Sequence, residues 1–78
     1  MIPKKAKVVL TFHTTTDAMA MESLCRQQNL GGRMIPVPGA VTADCGLAFC
    51  AEPGMEETLI QAAHAAGIPC QGVYHLMI

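Results

Sequence analysis

Two short apolar runs, Lys7 to His13 and Gly46 to Ala51, are each followed almost at once by the signals that start a helix. The first is dense in Val, Leu, Thr and Phe, which favours an extended strand, and the second is apolar at nearly every position, as in a central strand covered on at least one face. After the first run, Thr14-Thr15-Thr16-Asp17 offers oxygens that cap free helix amides and an acid for the positive end of the helix dipole. Ala18, Met21, Leu24, Cys25 and Gln28 then recur at three- and four-residue intervals, so one stripe of this helix faces the sheet until Gly31-Gly32 permits a left-handed stop. After the second run, Pro53 suits a first helical turn and Glu56 and Glu57 complement the dipole. The stripe Met55, Leu59, Ala62, Ala63 and Ala66 carries the second helix to Gly67.

Arg33 to Val37 reads as a further strand, placed at an edge because Pro36 lacks a backbone donor, and Pro38-Gly39 breaks it. Ile68 to Ile78 supplies the last strand. The order β-α-β-β-α-β predicts an α+β, ferredoxin-like two-layer sandwich, an antiparallel sheet in the order 4-1-3-2 with both helices on one face. Such a sheet brings the end of the first strand, the starts of the third and fourth, and the start of the first helix to one edge. His13, Thr14 to Thr16, Cys45 and Cys70 are expected there, and Cys50 toward the opposite end.

At 78 residues there is room for one hydrophobic core, so residues 1–78 are expected to form a single domain. An apolar fraction of 51% against 14% charged residues is the opposite of a disordered composition. The formal net charge is -1, the lysines cluster at Lys4, Lys5 and Lys7, and the only aromatics are Phe12, Phe49 and Tyr74. A nucleic-acid partner is therefore not expected. Apolar stretches fall far short of the roughly 20 residues that cross a bilayer, and Val8-Val9-Leu10 runs directly into Thr and His without a cleavage site. A cytoplasmic protein with free thiols and no membrane association is expected. No two cysteines among Cys25, Cys45, Cys50 and Cys70 are spaced C-x-x-C, so neither a zinc ribbon nor a thioredoxin-type motif is encoded.

Cys45 stands at a loop-to-strand junction beside Gly46, whose missing side chain is expected to leave the sulfur accessible. The helix-one amides and a cationic His13 would favour its thiolate, and Asp44 would oppose it. A small buried hydrophobe fits the same position. Cys25 and Cys50 fall inside regular apolar patterns and read as packing residues. Cys70 reads as packing or as a thiol that resolves an oxidised Cys45. His13 and His75 read as surface residues or proton-transfer groups, and His64 as a complement to the negative end of the second helix. Cys45, Cys70 and His13 together would make a soft-metal site.

The segments Val9-Leu10-Thr11-Phe12, Ala18-Met19-Ala20-Met21-Glu22, Arg33-Met34-Ile35-Pro36-Val37-Pro38 and Asp44-Cys45-Gly46-Leu47-Ala48 resemble, in order, the selenium/sulfur (Se/S) carrier protein-like family of small bacterial domains. The Ile-Pro-x-Pro segment and the loop ending in Cys-Gly are the most specific parts. The resemblance implies a carrier rather than a turnover enzyme, with no cofactor. It implies persulfide or selenopersulfide sulfur on Cys45, a cysteine desulfurase-like donor and a protein acceptor. Gly46, Cys70 and His13 are the supporting residues. Family members commonly have an arginine directly after the second proline, where this chain has Gly39, and Arg33 is the expected substitute for that charge. Two other expectations stand beside the carrier: a noncatalytic interaction module that forms a homo-oligomer through its sheet, and a soft-metal chaperone.

Overall fold

The computed structural model describes residues 4–78. Strand β1 (Ala6–Thr11), helix α1 (Thr15–Gln27), strands β2 (Arg33–Pro36) and β3 (Leu47–Ala51), helix α2 (Glu56–Ala65) and strand β4 (Gly72–Met77) follow one another, with a single 3-10 turn, Pro53–Met55, before α2. The strands form one four-stranded antiparallel sheet in the order β2-β3-β1-β4, whose neighbours read from the β4 edge are 4-1-3-2. The protein is thus a small α+β domain with β1 at the centre, paired to β3 on one side and β4 on the other.

The sheet has two unlike faces. Val8, Leu10 and Phe12 pack with Phe49 and Ala51 against Ala18, Met21 and Cys25 of α1 and Leu59 and Ala63 of α2, so both helices cover one face. Val9, Ala48 and Cys50 are buried on the other, flanked only by partly buried Ile35, Val37, Tyr74 and Leu76. Val9 is shielded there without a helix because its strand partners on either side are Cys50 and Tyr74. Buried apolar area of this kind stabilises by about 25 cal/mol per Å² removed from water.

Local chemistry explains the helix boundaries, with one correction. Thr14 caps α1, its side chain accepting from the Asp17 amide at 3.1 Å. The helix does not continue to Gly31-Gly32: Asn29 takes the left-handed conformation at φ 56, and the Leu30 amide reaches back to Cys25 O at 2.8 Å. That is the glycine-type helix stop made by an asparagine, whose short polar side chain tolerates the left-handed region. Helix α2 ends in the same way on Gly67 at φ 73, with the Ile68 amide on Ala63 O at 2.9 Å. Pro36 lies in the edge strand β2 as expected. The next amide, Val37, turns inward to Gly46 O at 3.1 Å, so the missing donor of Pro36 falls on the outer side.

Gly32 has a different task from the one its position after the helix suggests. Its φ is +123, and a Cβ built there would lie 2.5 Å from the Phe49 ring and 2.9 Å from Cys50 O. The chain passes this close to β3 only because position 32 has no side chain. Gly31 meets nothing within 4 Å. Gly32→Ala is expected to lower unfolding free energy by about 2–4 kcal/mol through backbone strain and overpacking, while Gly31→Ala stays near the parent. Urea unfolding of the two variants checks this, and equal stabilities would refute it.

Candidate functional site

The register of β1 brings the site together. Thr11 pairs with Ala48 of β3 and with Gly72 of β4, so the segments entering β3 and β4 arrive side by side where β1 ends. The Gln71 amide donates to Thr11 O at 2.7 Å, which pins the approach to β4. The Asp44 amide donates to Gln71 Oε1 at 2.9 Å, joining the β2–β3 loop to that approach. His13 Nδ1 faces Asp44 Oδ2 at 3.7 Å. Thr15, the first residue of α1, contacts the sulfur of Cys45 at 3.7 Å. The predicted meeting of His13, the α1 start, Cys45 and the lead-in to β4 is therefore present.

The sulfur itself is not where the sequence places it. Cys45 is 5% exposed and belongs to the helix-side core with Phe12 and Ala18. Gly46 does leave open space, with nothing within 4 Å of a built Cβ, but the cysteine side chain turns away from it. The reason is local: the Leu47 amide donates to Cys45 Sγ at 3.3 Å, folding the side chain back over the strand start. The Thr15 hydroxyl is the second polar neighbour, and either atom of that pair can be the donor. The Leu47 amide and the Thr15 hydroxyl are thus the two polar neighbours of this otherwise apolar-packed sulfur.

Arg33 cannot take the place of an arginine beside the loop. It pairs with Cys50, whereas Cys45 lies beyond Leu47 at the other end of β3. At a rise of about 3.3 Å per residue the five positions from Cys50 to Cys45 separate the two ends by about 17 Å. Arg33 instead lines a cavity of about 460 Å³ on the helix-free side with Lys7, Cys50 and Glu52. Lys7 forms an ion pair with Glu52 there and holds its carboxyl below the usual range. Cys25 is buried in the helix-side core and Cys50 in the opposite cluster, each a packing residue, and burial pushes the Cys25 thiol up. All four thiols are free.

Residues 7–75 match the family model described as Putative Se/S carrier protein-like. The chain belongs to that family. No curated protein and no solved structure matches the chain. The family match takes in both helices, β2 and β3 entire and all but the outermost residues of β1 and β4, and it includes Cys45, the cysteine that the fold brings to the α1 start.

Cys70 packs against the same helix-side core as Cys45 and is half-buried. Burial raises its thiol above the ordinary range, and the negative charge of Asp17 raises it further. The two cysteines therefore sit in unlike surroundings, one beside hydrogen-bond donors and one facing a carboxylate. Among the described residues no group of three or more His, Cys, Asp or Glu side chains is gathered to hold a metal ion, so Cys45, Cys70 and His13 do not form the soft-metal set expected of a chaperone. No helix among the described residues is long and apolar enough to cross a membrane.

Three contributors to the site escape sequence reasoning. The Leu47 donor is a backbone group, and Gln71 carries no motif. Thr15 lies inside the predicted cap run, yet only the fold turns it to the sulfur. Asp17→Asn removes a like charge from Cys70, so its thiol ionises at lower pH. The pH profile of Cys70 alkylation, followed by peptide mass spectrometry, is expected to move downward in that variant, and an unmoved profile would show that Asp17 does not act on it.

Proposed function

We propose that this chain is a selenium or sulfur carrier, built on a ferredoxin-like plan, that holds the chalcogen on Cys45. The observation that carries this reading is the pair of polar groups at Cys45 Sγ, the Leu47 amide at 3.3 Å and the Thr15 hydroxyl at 3.7 Å, within the segment that the family model covers. Elsewhere in the core a sulfur surrounded by carbon would gain nothing from ionising. Here an ionised sulfur keeps two hydrogen-bonding neighbours when its proton leaves.

Loading is a thiolate exchange with no net redox change. The Cys45 thiolate attacks the terminal sulfur of a donor persulfide, an S–S bond forms to Cys45, the donor's own S–S bond breaks, and the donor cysteine leaves as thiolate. In delivery an acceptor thiolate attacks the terminal atom on Cys45 and releases the Cys45 thiolate. With selenium the transferred atom is selenium and the bonds are S–Se. A desulfurase-like enzyme fits the donor role and a cytoplasmic protein thiol the acceptor role.

The helix-free sheet face favours a second reading. Ile35, Val37, Tyr74 and Leu76 are only partly buried there, and a second copy would cover them. In that oligomeric module the cysteines only fill space.

Incubation with a cysteine desulfurase and cysteine, followed by intact and peptide mass spectrometry, separates the two. The carrier reading expects added sulfur on the Cys45 peptide of the parent and its loss in Cys45→Ser, with Cys25→Ser unaffected. Equal loading of the parent and Cys45→Ser would remove Cys45 from the role.

A further inference from the structure

The sulfur that the carrier reading needs is only 5% exposed, turned into the helix-side core at the end of a tied-down loop. Cys45 ends the loop 38–45, which the Val37–Gly46 bond closes at its base and a Val41-to-Pro38 turn stiffens within. Two side chains from the β4 side reach across to the far part of this loop. Gln71 Oε1 accepts the Asp44 amide at 2.9 Å, and the Tyr74 hydroxyl donates to Thr42 O at 3.4 Å. Both arise from fixed backbone: the Gln71 amide is bound to the end of β1, and Tyr74 is paired with Val9 in the sheet. Gly72 makes the second reach possible, since a Cβ there would lie 2.9 Å from Tyr74 Cε1 and 3.2 Å from its hydroxyl. The tyrosine ring lies along the strand over the one residue that has no side chain to block it.

We infer that Gln71 and Tyr74 are positioning residues that latch the loop 38–45 in the arrangement that keeps Cys45 turned into the core, and that release of this latch is the step that exposes Cys45 to a donor or acceptor. The inference rests on the carrier reading for its purpose, and on the geometry alone for its mechanics. Asp44 and Thr42 are both exposed, so water replaces the lost partner of either backbone group when the latch opens, and opening strands no buried polar atom. Within loop 38–45 only Val41 and Cys45 are buried, and only Cys45 joins the helix-side core of Phe12, Ala18 and Met21, so lifting the loop uncovers these two side chains and leaves the rest of that core packed.

The test is the rate at which iodoacetamide alkylates each cysteine of the folded protein, read peptide by peptide. Gln71→Ala and Tyr74→Phe each remove one bond of the latch while leaving the backbone pairing of β4 in place. Each is expected to raise the Cys45 rate about fivefold, the factor associated with one net hydrogen bond. Cys25 and Cys50, buried on opposite sheet faces, are the internal standards and are expected to stay at parental rates. Unchanged Cys45 rates in both variants would overturn the latch, and so would equal rises at all three cysteines, which report general loosening. Desulfurase loading of the same variants separates this inference from the carrier reading. Faster alkylation with no sulfur on Cys45 in any variant keeps the latch and rejects the carrier. Loading of the parent with unaltered alkylation in the variants keeps the carrier and rejects the latch.

Discussion

Everything at the candidate site depends on β1 being hydrogen-bonded along both edges. Because β3 and β4 both run antiparallel to it, their first residues lie beside its last, and Thr11 is the shared neighbour of Ala48 and Gly72. A strand paired on one side only would leave either the Cys45 loop or the Gln71 segment without a fixed position. The burial of Val8, Val9 and Leu10, none of them exposed, is what holds this strand central. Apolar side chains on both faces leave it no position at an edge where one face would be wet.

The parts of this arrangement that were legible in the sequence are those set by period and by local capping. The density of Val, Leu, Thr and Phe within Lys7 to His13, the threonines before α1 and the proline before α2 each act within a few residues, so each could be read without knowing the fold. The stop of α1 was misread because glycine is the commoner left-handed residue, and two of them stood just beyond the asparagine that serves. Arg33 was misplaced for a different reason. Its relation to Cys45 is set by the β2–β3 register, and register is a pairing property that neither strand states alone. The accessibility of Cys45 was read from its glycine neighbour, whereas the side chain's direction follows from the Leu47 amide that it binds.

Burial and reactivity are not opposed at such a position. On the carrier reading proposed above, a sulfur that two protein partners reach in turn is also one that oxidants and stray thiols reach if it is left open. Tying the loop that carries it by hydrogen bonds at exposed backbone atoms would keep the closed form favoured by a small margin. A margin of one or two net hydrogen bonds leaves a minor open population rather than a negligible one. Cys70 completes the contrast, since burial and the Asp17 carboxylate both favour its protonated form, which is the poor nucleophile.

On the carrier reading, loading would act back on the loop. Cys45 sits 5% exposed in a core where Phe12, Ala18 and Met21 show no exposure, so in the closed arrangement another atom bonded to this sulfur would have to be placed among buried side chains. Overfilling a packed site costs typically about 1–3 kcal/mol, which is comparable to what one or two loop hydrogen bonds contribute. An atom added to this sulfur therefore weighs against the closed loop by about as much as the latch weighs for it. The unloaded form would then favour closure and the loaded form opening. The carried atom would thus itself present the loop to an acceptor, and its departure would let the loop close again over the bare sulfur.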